Sequence, residues 1–237
     1  MKVKICFNTD TINKNLHIGW GVSFLIGDRV LFDTGENGNW LLHNMKKLNV
    51  DFGKLKTIVI SHDHWDHVGG LYAILREKEN LNVCVCPNFD IEFKEKVKGL
   101  GGSLIEHEDI SEIERGIYVT GEIPGKYAGR FMPEQSLVVK TENGITVITG
   151  CSHPGIVKIL EKVKEKFPQE KLYFVFGGFH LMDQTEREIE IVVEKFMEMK
   201  VEKVGPTHCS GKEAEEIFKK KYGKKFVTIK VGQTIEI

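Results

Sequence analysis

No stretch of this chain is apolar for long enough to cross a bilayer, and neither sign of charge is in excess: 33 Lys and Arg stand against 34 Asp and Glu, scattered along 237 residues. The first absence excludes a membrane-spanning helix, which needs about 20 consecutive apolar residues. The second removes the electrostatic case for nucleic acid or an anionic lipid surface as partner. Also missing are low-complexity segments, Pro/Gly/Ser-rich linkers and repeats of short period, which argues against a solenoid or a string of tethered modules. The opening residues Met1-Lys2-Val3-Lys4-Ile5-Cys6-Phe7 alternate like a strand and do not form the apolar core of a signal peptide, so a cytoplasmic location is expected. Five cysteines, an odd number, then point to reduced thiols rather than a disulfide framework. A small molecule is the expected partner, with neither nucleic acid nor membrane; the oligomeric state has no signature in the sequence.

The length, with 41% hydrophobic residues, suits one globular domain made of two similar halves, roughly 1–115 and 116–237. In the first half, apolar alternation predicts strands at Val3 to Phe7, Val22 to Ile26, Val30 to Phe32, Thr57 to Ile60 and Val83 to Cys86. Helices are predicted around Trp40 to Leu48, Gly70 to Arg76 and Phe89 to Val97. The second half repeats the style, with strands at Ile117 to Thr120, Leu137 to Lys140, Ile145 to Thr149, Leu172 to Phe176, Lys203-Val204 and Phe226 to Ile229. Its helices are predicted at Pro154 to Phe167, Glu186 to Met199 and Lys212 to Lys220. Two such halves imply an α/β (α+β) protein with four αββα layers, helices outside two packed sheets.

The densest chemistry is Ser61-His62-Asp63-His64-Trp65-Asp66-His67, which leaves the end of the strand at Thr57 to Ile60 and runs into a helix. Alternate side chains of an extended loop share one side, so His62, His64 and Asp66 converge, and the turn into the helix brings His67 back. Imidazoles and a carboxylate suit zinc, iron or manganese, and a set this dense can serve two cations. His153 and His208 occupy the same kind of position, each just past an apolar strand and just before a helix. His180, after Gly177-Gly178-Phe179, shares the setting and is read as a possible ligand, a support for the ligands, a substrate contact or a plain structural histidine. His17, His43 and His107 have no such setting.

Other signals carry less. Cys84-x-Cys86 alternates within an apolar strand and reads as core. Lys126-Tyr127-Ala128-Gly129-Arg130-Phe131 is basic and aromatic; Lys126 and Arg130 are candidate substrate contacts, with a solvated loop as the plain alternative. Trp20, between two glycines, is a candidate wall for a flat substrate or else a packed anchor. Asp63 and Asp66, among the histidines, are candidate catalytic carboxylates, Asp63 as a proton acceptor or else a helix-capping residue. A single Asp33-Thr34-Gly35 does not make an aspartic protease, which needs two such carboxylates.

The run His62-x-His64-x-Asp66-His67 resembles the signature of the metallo-β-lactamase superfamily, and the resemblance extends over Phe32-Asp33-Thr34-Gly35, Thr149-Gly150-Cys151 and His208. It implies that His62 and His64 bind one metal, that Asp66, His67 and His208 bind a second, and that a hydroxide bridges the two. It also makes Asp33 a residue that orients the ligands. Two departures stand out. The third histidine of the first metal, expected just before the strand near Ser136, is absent from Phe131-Met132-Pro133-Glu134-Gln135, and Cys151 replaces the usual bridging Asp. His153, two residues on, is the best substitute ligand, and Cys151 is a candidate thiolate ligand or a buried core residue. Glu134-Gln135-Ser136-Leu137, Thr149-Gly150-Cys151-Ser152-His153-Pro154-Gly155, Gly177-Gly178-Phe179-His180-Leu181 and Gly205-Pro206-Thr207-His208-Cys209-Ser210-Gly211 look like the subfamily named for 7,8-dihydropterin-6-yl-methyl-4-(β-D-ribofuranosyl)aminobenzene 5′-phosphate synthase. The function these resemblances imply is a metal-dependent hydrolase, with one or two Zn2+ per chain and iron, manganese or magnesium as alternatives. Its metal-activated water would attack an ester, lactone or phosphodiester. The alternatives are the pterin synthase reaction, a transfer, and a non-catalytic metal-binding sensor.

Overall fold

A computed structural model describes residues 1–237, which divide into two compact units, Met1–Glu108 with Lys230–Glu236, and Asp109–Ile229 with Ile237. In chain order the first unit holds β1 (Lys2–Phe7), β2 (Ser23–Ile26), β3 (Val30–Phe32), α1 (Gly38–Lys47), β4 (Thr57–Val59), α2 (Trp65–Val68), α3 (Leu71–Glu77), β5 (Asn82–Val85), α4 (Ile91–Gly99) and β6 (Ser103–Glu106). The second holds β7 (Ser111–Glu114), β8 (Ile117–Val119), β9 (Lys126–Tyr127), β10 (Arg130–Phe131), β11 (Leu137–Thr141), β12 (Gly144–Thr149), α5 (Ile156–Lys166), β13 (Leu172–Gly178), α6 (Glu186–Glu198), β14 (Lys203–Thr207) and α7 (Lys212–Tyr222). The chain then returns to the first unit as β15 (Thr234–Glu236).

The first unit is a mixed sheet in the order β15-β1-β2-β3-β4-β5-β6. Strands β1, β2 and β3 are antiparallel, β1 joined to β2 by a long connection over 8–22 and β2 to β3 by a tight turn, and crossovers through α1, α3 and α4 make β3 to β6 parallel. One face of the strands (Leu31, Ile58, Ile60, Val83, Val85) forms a continuous core with Leu41 and Met45 of α1, Leu71, Ile74 and Leu75 of α3, and Phe93 and Val97 of α4. Asn37 caps α1 by accepting from the Trp40 amide, and Asp90 caps α4 by accepting from the Glu92 and Phe93 amides.

The second unit follows the same plan, in the order β14-β13-β12-β11-β8-β7 with β9 and β10 as a separate hairpin. Strands β7, β8, β11 and β12 are antiparallel, and α5 and α6 carry the chain through parallel β12, β13 and β14. Val147, Val175 and Val204 pack with Ile159 and Leu160 of α5, Val193 and Phe196 of α6, and Phe218 of α7. Parallel register sets Thr149 beside Gly177 and Gly178 beside Thr207, so the loops leaving β12, β13 and β14 emerge side by side. That edge is where α/β sheets place their sites.

Three expectations about elements are corrected. The closing strand at Phe226 to Ile229 is one bridge from Phe226 to Val204, with the Val227 amide donating to the Val204 carbonyl at 2.8 Å. The next donor on that edge would be residue 206, a proline without an N–H, so the ladder stops. The real edge strand is β15, antiparallel to β1. The stretch at 126–131 is a hairpin rather than a loop, turning through Ala128 (φ 47°) and Gly129 (φ 76°), both left-handed as a two-residue hairpin turn requires. Finally, β5 ends at Val85, so alternation stops before Cys86, which joins the helix-side core without Cys84.

One glycine ties the fold to the signature helix. Gly21 has φ +91°, and a Cβ there would lie 1.8 Å from the Asp66 carbonyl oxygen of α2. Gly21→Ala is therefore expected to destabilise the chain by more than about 2 kcal/mol, combining left-handed strain with a backbone clash. Urea unfolding of the variant checks this; an unchanged midpoint would refute it.

Candidate functional site

In the first unit the chain leaves β4 through Ile60 and Ser61, then passes His62 and His64 into α2, which carries Asp66 and His67. His62, Asp66 and His67 are buried and His64 is half-buried. Behind them Asp33, fully buried and left-handed at φ 53°, follows the end of β3. Its Oδ1 accepts the Ser61 amide at 2.7 Å, and its Oδ2 accepts both the Ser61 hydroxyl and His67 Nδ1–H, each at 2.7 Å.

These bonds assign protons. The Ser61 hydroxyl proton points at Asp33, so toward His62 Nδ1, 2.9 Å away, Ser61 Oγ accepts. His62 and His67 both carry their proton on Nδ1, which leaves Nε2 as the only ring nitrogen able to bind a cation. Burial works against charge on His67, but Asp33 and Asp66 outweigh it and hold this imidazole well above its ordinary range.

Spacing gives a test of whether these donors suit a metal. Two nitrogens on one tetrahedral zinc, each about 2.0–2.1 Å from it, lie about 3.3–3.4 Å apart. His62 Nε2 and His64 Nδ1 are 3.1 Å apart, and His67 Nε2 and Asp66 Oδ2 are 3.3 Å apart. Both pairs fit with little movement.

In the second unit, the three parallel strand ends deliver Cys151 and His153 (after β12), His180 (after β13), and His208 and Cys209 (after β14). Cys151, His153 and His180 present ligand atoms within 4.8 Å of one another, and so do Cys151, His208 and Cys209. Cys151 Sγ is 3.4 Å from His208 Nε2. The loops bearing them are strained: Ser152 (φ 69°), His180 (φ 53°) and His208 (φ 54°) are left-handed without being glycine, a conformation that concentrates at functional sites. Gly177 and Gly178 permit the close approach, since a Cβ on Gly177 would meet the Thr149 carbonyl at 2.1 Å and one on Gly178 the Gly150 carbonyl at 2.2 Å. A hydrogen bond with Cys209 raises the His180 pKa although burial opposes it.

Glu134 underlies this cluster; the sequence marks it only as part of the Glu134-Gln135-Ser136-Leu137 segment and assigns it no role. Fully buried, it accepts from the Cys151 and Ser152 amides on Oε1 and from the His153 amide and His153 Nδ1–H on Oε2. Burial alone would discourage its ionisation, but His153 and these amides hold its pKa down to about 2. The one available hint was polar Glu134-Gln135-Ser136 directly before an apolar strand. Cys209 carries no signal of its own in the sequence, being one more cysteine beside a histidine.

The other candidates are placed more simply. Asp63 accepts the Asp90 amide at 2.9 Å, at the start of α4. Trp20 is partly exposed, and its carbonyl accepts the Glu36 amide. Lys126 and Arg130 are exposed on the β9–β10 hairpin, whose Tyr127 sets its ring edgewise against His153 and His180, centroids 5.3 and 5.7 Å apart. His17 stacks on Trp40, ring centroids 5.5 Å apart. No helix is long and apolar enough to cross a membrane.

A parallel-strand edge bearing this histidine signature defines a class, and comparison with known proteins agrees. Residues 21–208 match the model of the metallo-beta-lactamase superfamily, and the chain belongs to that superfamily. Over 91% of its length, and 89% of the relative's, it is 31% identical to the 7,8-dihydropterin-6-methyl-4-(beta-D-ribofuranosyl)-aminobenzene-5'-phosphate synthase of Methanocaldococcus jannaschii. Among solved structures it superposes on Tm1679, described as a metal-dependent hydrolase of the beta-lactamase superfamily, with TM-score 0.84 and 31% identity, covering 100% of this chain and 99% of the other. The metallo-beta-lactamase fold protein YhfI from Bacillus subtilis, 16% identical with TM-score 0.68, covers 99% of both chains and shares the fold.

Proposed function

We propose that the chain is a metal-dependent hydrolase acting on an ester, lactone or phosphodiester bond of a small molecule. One observation carries the reading: His62, His67 and His153 each hold an acceptor on Nδ1, which turns Nε2 into a ligand. Following the superfamily pattern residue by residue, the candidate metal ligands are His62, His64, Asp66 and His67 of the first unit and His153 and His208 of the second, with Cys151 beside His208. Imidazole and carboxylate donors suit zinc best, with iron, manganese or magnesium as alternatives. When bound, such cations supply Lewis acidity toward a substrate oxygen and a nucleophile at neutral pH.

The remaining work belongs to the chain. Ser61, Asp33 and Glu134 keep the ligand imidazoles in one tautomer and one orientation. Lys126 and Arg130 offer positive charge to an anionic substrate, and Trp20 an apolar wall. Asp63, engaged by the Asp90 amide, is given no part in proton transfer. In the reaction water oxygen bonds to the phosphorus or acyl carbon, the ester oxygen departs, and the water proton ends on it. Five free, buried cysteines suit a reducing, cytoplasmic setting.

The resemblance to the Methanocaldococcus jannaschii synthase favours a second reading, in which an aryl amine takes the place of water and diphosphate leaves. Zinc-loaded protein assayed on bis(p-nitrophenyl) phosphate and a lactone panel is expected to turn over at least one of them. No turnover on any ester, with diphosphate released from a pterin diphosphate and an aryl amine, would replace the hydrolase reading by the synthase one.

A further inference from the structure

We propose that Glu134 is a positioning residue that makes His153 a metal ligand while binding no metal itself; this rests on the reading of His153 as a ligand. A carboxylate has about four lone-pair sites. Here four N–H donors reach it: the Cys151 amide at 3.0 Å and the Ser152 amide at 2.7 Å on Oε1, the His153 amide at 2.8 Å and His153 Nδ1–H at 3.0 Å on Oε2. With every site taken and no exposure to solvent, the carboxylate has no electron pair left for a cation. Its action passes through the ring it holds.

The surroundings make that grip specific. Reciprocal backbone bonds between Glu134 and Ile123, at 2.9 and 3.1 Å, fix the residue just before β11. Three successive amides turning onto one carboxylate keep Ser152 in its left-handed conformation and so aim the loop that bears His153. Tyr127 and His180 pack against the His153 ring, centroids 5.3 and 4.7 Å away, and restrict its rotation. A carboxylate partner on Nδ1–H also raises the basicity of Nε2, as acidic partners of metal-bound imidazoles do. Glutamine cannot substitute: it offers one acceptor oxygen, and its NH2 would confront an N–H.

The test titrates metal-free protein with zinc against a competing chelator, for wild type, Glu134→Gln, His153→Ala and the double variant. Glu134→Gln is expected to bind zinc at His153 about 10–100-fold less tightly, and the double variant no less tightly than His153→Ala alone, because both changes remove the same ligand. Wild-type affinity in Glu134→Gln, or losses that simply add in the double variant, would overturn the proposal. Nitrogen NMR of metal-free wild type gives a check that needs no variant: the His153 ring is expected as the Nδ1–H tautomer, and an Nε2–H ring would equally overturn it. Wild-type protein that takes up no zinc at all would instead bring down the functional reading beneath it.

Discussion

Alanine at Asp33 is expected to lower the apparent melting temperature by roughly 6–12 °C and to weaken metal binding at His67. The carboxylate satisfies three buried donors, the Ser61 amide, the Ser61 hydroxyl and His67 Nδ1–H. Removing it leaves all three in an interior where Asp33 and His67 are fully buried. Unsatisfied buried donors, one of them paired with a charge, cost about 3 kcal/mol together, and each kcal/mol is worth about 2–4 °C in a chain of this size. The metal effect follows from the proton assignment, since without Asp33 nothing holds His67 in the Nδ1–H tautomer. Asp33→Asn separates the two effects: its Oδ1 still accepts the Ser61 amide, but its NH2 faces the His67 donor, so stability should fall less than in the alanine variant and metal binding about as much. Thermal unfolding followed by circular dichroism, with zinc counted per chain, measures both. An alanine variant that melts like wild type would show that the buried triad does not carry the stability assigned to it.

His64→Ala should behave in the opposite way. This ring is half-buried and caps α2 with no side-chain bond to the helix, so metal-free protein is expected to melt within a few degrees of wild type. Any turnover seen with zinc-loaded protein on bis(p-nitrophenyl) phosphate or the lactones should drop by at least about 10³-fold, the kinetic equivalent of the roughly 4 kcal/mol a metal contributes to the barrier. Zinc content should fall with it. Full activity in a well-folded His64→Ala protein would remove this histidine from the ligand set.

Much of the molecule was readable beforehand because the readable parts depend on neighbours in sequence. Strands such as Leu137 to Lys140 and helices such as Glu186 to Met199 announce themselves through apolar period, and Thr185 with Glu188 closes a capping box at the start of α6. The sequence does not mark the short strands β6 and β7, because they are polar, half-exposed edge strands whose pairing comes from partners rather than from their own pattern. The hairpin at 126–131 was hidden for the same reason. Proline at 206 ended a ladder that the apolar pattern of Phe226 to Ile229 implied, an effect visible only once the two segments are neighbours.

The linear order of residues determined on its own the superfamily signature at 62–67, the alternation of strands and helices, and the two late histidines at strand ends, since each is a local pattern of residue type and spacing. Tertiary structure alone decided what lies behind the candidate ligands. Asp33 meets His67 across 34 positions and Glu134 meets His153 across 19. A buried carboxylate is recognisable as such only when folding has removed its water and brought N–H donors to replace it, and no spacing along the chain records that exchange.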